Sequence, residues 1–290
     1  MIRKVGSTFI EDDLLPQLSA WFEAPPAETA TPWKTATKGV VFVREPYGRL
    51  ISAYFNKILI RPVYWQQFGH TVMKMAGVIP ETADYTDKCS LYATFPEFIR
   101  YFIQMEKTGR GRDDHFIPQH EHCRMCQDDY TYIAHLETIG DDLDYILQSV
   151  NIDLKVKKKR SCVLQEVDWI LNSENKYVRA CSDNSNYDVL KKYWLSHQVG
   201  GKISDRMEFP ISKGDAKRLD VRKFADMVYM AIINSKGTFS SSEQKRKHMI
   251  NLYKQVPLRD REAVKEILAK DFQMFQYDPK PPTVFPEYYR

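Results

Sequence analysis

Two side chains, Arg44 and Ser52, have the chemistry to bind an anion. Arg44 follows the apolar run 39–43, GVVFV, whose β-branched residues predict a strand buried on both faces, as in a parallel sheet. Pro46 keeps the residue before it extended and suits the first position of a helix, so we expect Ser52 in the helix that follows. In α/β proteins, an arginine at the carboxyl end of a buried strand and a hydroxyl in the next helix are typical of a site for the anionic groups of a ligand.

A second group with anion-binding chemistry lies at residues 4–8: Lys4, Val5, Gly6, Ser7 and Thr8. The sequence predicts the end of a strand, a tight turn at Gly6, and a helix start that carries the two hydroxyl residues. Backbone amides at a helix N-terminus, together with a lysine, hold phosphate or sulfate without a metal. The pattern G-x-x-x-x-G-K-[ST] is absent, so this is not the loop of a nucleoside triphosphatase.

Helical and strand patterns indicate the elements that position these groups. Apolar residues recur at helical spacing after Pro46, and Arg49 and Ser52 share the opposite stripe. Thr94 and Glu97 form a capping box for a helix that buries Phe98, Tyr101, Phe102 and Met105. The alternating run 130–136 predicts a strand, and we expect Thr138 to cap the helix after it. Together these elements predict an α/β fold with a central parallel sheet and helices on both faces.

Composition narrows the class of ligand. The chain has 42 Lys and Arg against 38 Asp and Glu, a net charge of +4. This excess suits an anionic cofactor or a polyanionic substrate and is too small to indicate nucleic acid. No apolar run is long enough to span a bilayer, and the N-terminus lacks the apolar core of a signal peptide.

The segment 44–54, REPYGRLISAY, resembles the 3′-phosphate-binding motif of sulfotransferases that use 3′-phosphoadenosine 5′-phosphosulfate (PAPS), in the Golgi carbohydrate class. That family usually has Asp at the position of Glu45, which does not touch the phosphate. Residues 4–8 resemble the family's 5′-phosphosulfate loop. Residues 114–150 resemble the chondroitin and HNK-1 type, with H-[WF]-x-P-Q, C-x-x-C, a strand ending E-T, and D-x-x-Y-[IV]-L-Q in order. Residues 253–277 resemble its closing helix and D-F-x-M-F-x-Y signature.

The resemblance implies a fold and a donor. The fold is α/β, with a P-loop-like central parallel sheet flanked by helices, over a single domain 1–290 with a divergent insertion at about 155–235. The activity is transfer of sulfate from PAPS, the co-substrate, to a hydroxyl of a glycosaminoglycan or related glycan, with no metal. The 3′-phosphate would bind Arg44 and Ser52, and the phosphosulfate would bind residues 4–8, where Lys4 also neutralises the leaving oxygen.

His115 is the predicted general base, as the histidine of the family's H-[WF] motif, because a near-neutral imidazole suits removal of a proton from a sugar hydroxyl. The alternatives are His120, Glu137 and Asp114.

The same block permits a zinc site, since two cysteines lie beside three histidines: His115, His120, His122, Cys123 and Cys126. A single C-x-x-C lacks the second pair of a zinc finger, and in a lumenal protein we expect disulfides from these thiols instead. Five cysteines leave the pairing open.

Three functions compete at this point. The first is the sulfotransferase, with a glycan acceptor and no nucleic acid as partner. The second is a glycan-binding relative that keeps the fold without catalysis. The third, a kinase, is disfavoured because no triphosphate loop or D-F-G pattern is present. By resemblance the full-length protein is a type II membrane protein of the Golgi lumen, whose anchor and stem we expect upstream of this sequence.

Overall fold

The computed structural model describes residues 14, 17, 39–59, 69–78, 93–122, 125, 130–154, 183–216 and 218–289. The predicted loop at residues 4–8 and the cysteines Cys123 and Cys126 lie outside these ranges. So do the rest of residues 1–38, apart from residues 14 and 17, and about a third of the predicted insertion at about 155–235.

The described residues are mostly helical and include a small parallel sheet, so the predicted α/β class is confirmed. In chain order the elements are β1 (Gly39–Val43), α1 (Pro46–Ala53), a π-helix (Tyr54–Leu59), α2 (His70–Met75), α3 (Phe95–Thr108), α4 (Gln119–His122), β2 (Tyr130–His135), a 3-10 turn (Leu136–Thr138), α5 (Ile139–Ser149), α6 (Asp183–Val199), α7 (Lys213–Ala216), α8 (Val221–Ser235), α9 (Ser241–Lys254), α10 (Leu258–Ile267), α11 (Ala269–Phe275) and a 3-10 turn (Pro286–Tyr289). No helix among these is long and apolar enough to cross a membrane.

The chain divides into two compact units. The first consists of Met1–Leu50, Arg110–Arg160 and Glu266–Pro279. The second consists of Ile51–Gly109, Ser161–Lys265 and Lys280–Arg290. The organisation as a single sulfotransferase domain with an insertion stays a prediction.

The sheet of the first unit consists of β1 and β2, which pair in parallel with Val43 opposite His135. Because parallel strands end at the same edge, Arg44 and the residues after His135 start from neighbouring positions. Val41 and Val43 are buried against Phe275 of α11, whereas Phe42 on the other face is only partly buried. The expected burial is thus complete on the face of Val41 and Val43 and partial on the face of Phe42.

The end of β2 differs from the prediction by a residue. The strand stops at His135, and the 3-10 turn leads into α5. Thr138 is at the N-cap position of α5, but its side chain makes no capping hydrogen bond. Asp142, in the first turn of α5, accepts a hydrogen bond from the His135 amide at 2.5 Å instead. A carboxylate has thus replaced the expected hydroxyl as the group that joins strand and helix.

The second unit confirms the predicted core of α3. Its capping box is present, with the Glu97 carboxylate accepting the Thr94 amide at 2.6 Å. The four residues expected in the core are at most 3% exposed: Phe98, Tyr101, Phe102 and Met105. Tyr54 of the π-helix packs against Phe95 and Phe98, with ring centroids 5.3 and 5.7 Å away. The apolar positions that predicted a helix after Pro46 are all buried: Leu50, Ile51, Tyr54, Phe55, Ile58 and Leu59.

Candidate active site

Arg44 is the first residue after β1, and the side chain of Gln119 holds its backbone. The Arg44 amide donates to Gln119 Oε1 at 2.9 Å, and Gln119 Nε2 donates to the Arg44 carbonyl at 2.8 Å. The side-chain amide thus pairs with Arg44 as a neighbouring strand would. Gln119 is fully buried, so its two bonds lie where water competes little. The backbone of the predicted anion-binding arginine is fixed by a residue of the H-F-I-P-Q motif.

The side chain of Arg44 lies beside the start of α1, where Glu45 acts as the cap. The Glu45 carboxylate accepts the amides of Tyr47 at 3.0 Å and Gly48 at 2.5 Å. A Cβ added to Gly48 would come within 3.1 Å of Glu45 Oε2 and 3.8 Å of Arg44 Nε. Because Gly48 has no side chain, the Glu45 carboxylate and the Arg44 guanidinium can both lie close to this position. Glu45, in place of the usual aspartate, satisfies the first amides of the helix.

Glu137 and Tyr277 complete the surroundings of Arg44. Glu137 accepts two hydrogen bonds, from the Glu45 amide at 3.0 Å and from the Tyr277 hydroxyl at 2.8 Å. Burial, and next to it the Glu137 charge, raise the pKa of Tyr277 far above its ordinary value, so the phenol stays a donor.

Burial has the largest effect on the pKa values of Arg44 and Glu45. Burial lowers the pKa of Arg44, while Glu137 and Glu45 raise it again. Burial raises the pKa of Glu45 to about 7, against the opposing effect of its two amide bonds. A cationic group in such surroundings suits a ligand oxyanion, and Glu45 can become neutral near physiological pH to reduce repulsion of that oxyanion.

His115 lies in the turn before α4 and is only 8% exposed. Its Nδ1 is 2.5 Å from Asp113 Oδ1, and its amide donates to the same oxygen at 2.8 Å. A carboxylate at Nδ1 favours the tautomer whose proton is on Nδ1, so Nε2 is the nitrogen that can accept a proton. The carboxylate also stabilises the imidazolium that forms. These contacts suit the role predicted for His115.

The alternative bases have different surroundings. His120 Nδ1 is 2.7 Å from Asp271 Oδ1, and Asp271 also accepts the amides of Gln119 at 2.7 Å and His120 at 2.9 Å. Asp271 is fully buried, so this pair forms part of the packing of α4 against α11. The side chain of Asp114 is exposed. Glu137 accepts hydrogen bonds from the Glu45 amide and the Tyr277 hydroxyl.

Arg49, which the sequence places with Ser52 on the stripe of α1 opposite the apolar residues, is buried. It is 2% exposed, and its guanidinium donates to the carbonyls of Ile117 at 2.6 Å and Asp114 at 3.2 Å. These carbonyls accept the guanidinium donors inside the protein, which makes the burial of Arg49 possible. Ser52, by contrast, is partly exposed in α1 and belongs to the second unit, so its role stays a prediction.

Sequence reasoning missed four residues of this cluster: Arg49, Gln119, Asp271 and Tyr277. Each is a member of a motif that the sequence displays, R-L-x-S-A-Y, H-F-I-P-Q or D-F-x-M-F-x-Y. Polar residues inside otherwise apolar motifs were the available signal. Within the described residues no group of three or more His, Cys, Asp or Glu could hold a metal ion. The cysteines of the zinc alternative lie outside that part of the chain.

Comparison with protein families identifies the chain. A family model described as "Sulfotransferase family" matches residues 5–210, which is more than half of the sequence. The chain belongs to the sulfotransferase family. The matched range contains Arg44, Ser52 and His115, whereas Asp271 and Tyr277 follow it in the sequence.

The chain is similar to several sulfotransferases that are named for carbohydrates. It is 26% identical to carbohydrate sulfotransferase 12 of Xenopus laevis, over 44% of this chain and 33% of the relative. It is 31% identical to human carbohydrate sulfotransferase 14, over 38% of this chain and 28% of the relative. It is 30% identical to human carbohydrate sulfotransferase 10, over 49% of this chain and 40% of the relative. The chain thus spans about a third of the length of these relatives. No solved structure matches the chain significantly.

Proposed function

We propose that this sulfotransferase uses PAPS to sulfate a hydroxyl of a glycosaminoglycan or related glycan. The observation that carries the proposal is the bond between Gln119 and the backbone of Arg44. It joins the predicted phosphate-binding arginine to the segment that contains His115, within one compact unit. The carbohydrate names of the relatives favour a glycan acceptor over other hydroxyl compounds.

Arg44 would bind the 3′-phosphate of the donor, with Ser52 as a second partner. The Arg44 guanidinium is partly buried, which strengthens its attraction for a phosphate. Lys4, Val5, Gly6, Ser7 and Thr8 would hold the 5′-phosphosulfate by backbone amides, hydroxyls and the lysine ammonium. These assignments come from the motifs and from the position of Arg44 after β1. A P-loop-like central parallel sheet, with the donor at the carboxyl ends of the strands that carry Lys4 and Arg44, is part of the same proposal.

The reaction needs in-line positioning and charge neutralisation. The acceptor oxygen forms a bond to sulfur while the bond from sulfur to the 5′-phosphate oxygen breaks. The hydroxyl proton passes to His115 Nε2, and Asp113 stabilises the resulting imidazolium. Lys4 neutralises the charge that develops on the phosphate oxygen of the leaving adenosine 3′,5′-bisphosphate. The products are that bisphosphate, the sulfate ester and the proton on His115.

The carbohydrate names of the relatives support a proposal for the setting. A glycan-sulfating enzyme needs PAPS and glycans in the same compartment, so we propose the Golgi lumen and a type II membrane protein as the full-length form. The membrane contact would be made by an upstream anchor.

The test is transfer of radiolabelled sulfate from PAPS to chondroitin, dermatan and a neutral oligosaccharide. We expect transfer to at least one glycan, and a loss of about 100-fold or more in Lys4→Ala, because Lys4 acts on charge that develops in the transition state. Lys270→Ala, at an exposed position of α11, is the matched control and should keep full activity. Glycan binding without transfer, unchanged by Lys4→Ala, would favour the non-catalytic relative instead.

A further inference from the structure

We infer that Arg49 is a positioning residue that holds the turn containing His115 at a fixed position relative to Arg44. This inference rests on the proposed function, because it assumes that His115 accepts the proton. It assigns a role to an arginine that is only 2% exposed.

The contacts of Arg49 surround His115 along the chain. Its two terminal nitrogens donate to different carbonyls, Nη2 to Asp114 just before the histidine and Nη1 to Ile117 two residues after it. The amides of Phe116 and Ile117 both donate to the Asp113 carbonyl, at 3.0 and 3.1 Å, which closes the turn. Arg49 therefore binds two carbonyls of a turn that backbone hydrogen bonds to Asp113 already close.

The same turn is attached to Arg44 at a second point. Arg49 belongs to the first turns of α1, where its amide donates to the Glu45 carbonyl at 2.9 Å. Gln119 pairs with the backbone of Arg44, five residues before Arg49. The segment 44–49 thus holds the segment 114–119 at both ends. A phosphate bound by Arg44 and the imidazole of His115 would keep a fixed distance and orientation only while both attachments are intact.

Only arginine has the shape that these contacts require. A guanidinium presents nitrogens in a rigid planar fork, so that two can reach separate carbonyls with less side-chain freedom lost per hydrogen bond. A lysine ammonium carries its donors on one atom and would leave one carbonyl unsatisfied. Arg49→Lys keeps the charge and should loosen one side of the turn.

The experiment is a double-mutant cycle between Arg49 and His115, measured as kcat for sulfate transfer. We expect Arg49→Lys to lower kcat at least about 10-fold in the wild-type background and less than about 2-fold when combined with His115→Ala. The KM for PAPS and the thermal shift with adenosine 3′,5′-bisphosphate should stay within about 2-fold, because Arg44 is unchanged. A general structural defect would lower kcat in both backgrounds.

Arg112→Lys is the matched control. Arg112 is in the same unit and makes a surface ion pair with Glu121 at 2.7 Å, so the substitution should leave kcat unchanged. Arg49→Gln is a second variant, which avoids a misplaced buried charge if the lysine variant does not fold, and the same cycle is expected for it. Equal losses in the two backgrounds, or full kcat in Arg49→Lys, would overturn the inference while the enzyme remains a sulfotransferase. A wild-type chain that neither binds the bisphosphate nor transfers sulfate would overturn the proposed function and this inference with it.

Discussion

Removal of the Asp271 carboxylate should destabilise the first unit more than any surface substitution. Asp271 and Gln119 are fully buried, and the carboxylate accepts the Gln119 and His120 amides and faces His120 Nδ1. In Asp271→Ala the two amides lose their acceptor. A buried unsatisfied donor costs about 1–3 kcal/mol, so two predict a loss of about 2–6 kcal/mol in the free energy of unfolding.

Asp271→Asn separates the loss of the acceptor from the loss of charge. Its amide oxygen can still accept backbone hydrogen bonds, so we expect a smaller loss of about 1–2 kcal/mol. Asp215→Ala is the control: Asp215 is exposed and accepts the Ser212 hydroxyl at 2.6 Å, so its removal should cost at most about 0.5 kcal/mol.

The assay is urea unfolding of the four proteins, followed by circular dichroism and by tryptophan fluorescence, with the m-value checked for constancy. A loss below about 1 kcal/mol in Asp271→Ala would refute the argument that the carboxylate satisfies buried donors. Equal losses in the alanine and asparagine variants would assign the effect to charge rather than to hydrogen bonding.

Two further predictions concern the chemistry of the site. His115→Ala should lower kcat by about 100-fold or more, with the affinity for adenosine 3′,5′-bisphosphate unchanged, and near-normal transfer would assign the base elsewhere. Glu45→Gln should change the pH dependence of stability, because burial raises the pKa of Glu45 from 4.5 to about 7 and the folded state therefore holds the proton more tightly. The wild-type chain should therefore lose stability as pH rises between these two pKa values, whereas Glu45→Gln should not. The free energy of unfolding of the variant, relative to the wild type, should increase by about 1–2 kcal/mol from about pH 5 to about pH 8, after allowance for partial exposure. Urea unfolding at both pH values measures this difference, and a constant difference would contradict the assigned pKa.

Local patterns predicted the elements that carry the site. The apolar run after Lys38 and the proline at position 46 were sufficient for β1 and the start of α1, since strand burial and proline geometry act within a few residues. The capping box of α3 was likewise readable from Thr94 and Glu97. These signals are local, and the structure confirms them.

The contacts that join these elements could not be predicted in the same way. Gln119 pairs with Arg44 across 75 positions of sequence, and its amide pairs with Asp271 across 152. No local pattern specifies which buried polar groups form hydrogen bonds with each other, because their partners are distant in the sequence and come into contact only in the folded chain. Arg49 illustrates the consequence: its spacing in the helix does not specify its burial, which two backbone carbonyls from a distant turn make possible.

The most direct test of sulfotransferase function is the thermal shift of the wild-type chain with adenosine 3′,5′-bisphosphate, with ADP and 5′-AMP as controls. A ligand at about a hundred times its dissociation constant adds about 2.7 kcal/mol of stability to the folded state. We expect this bisphosphate to stabilise the chain selectively, and Arg44→Ala to remove most of the shift while Arg112→Ala retains it. Equal shifts with all three nucleotides, or a shift that survives in Arg44→Ala, would contradict the assignment of Arg44 to the 3′-phosphate.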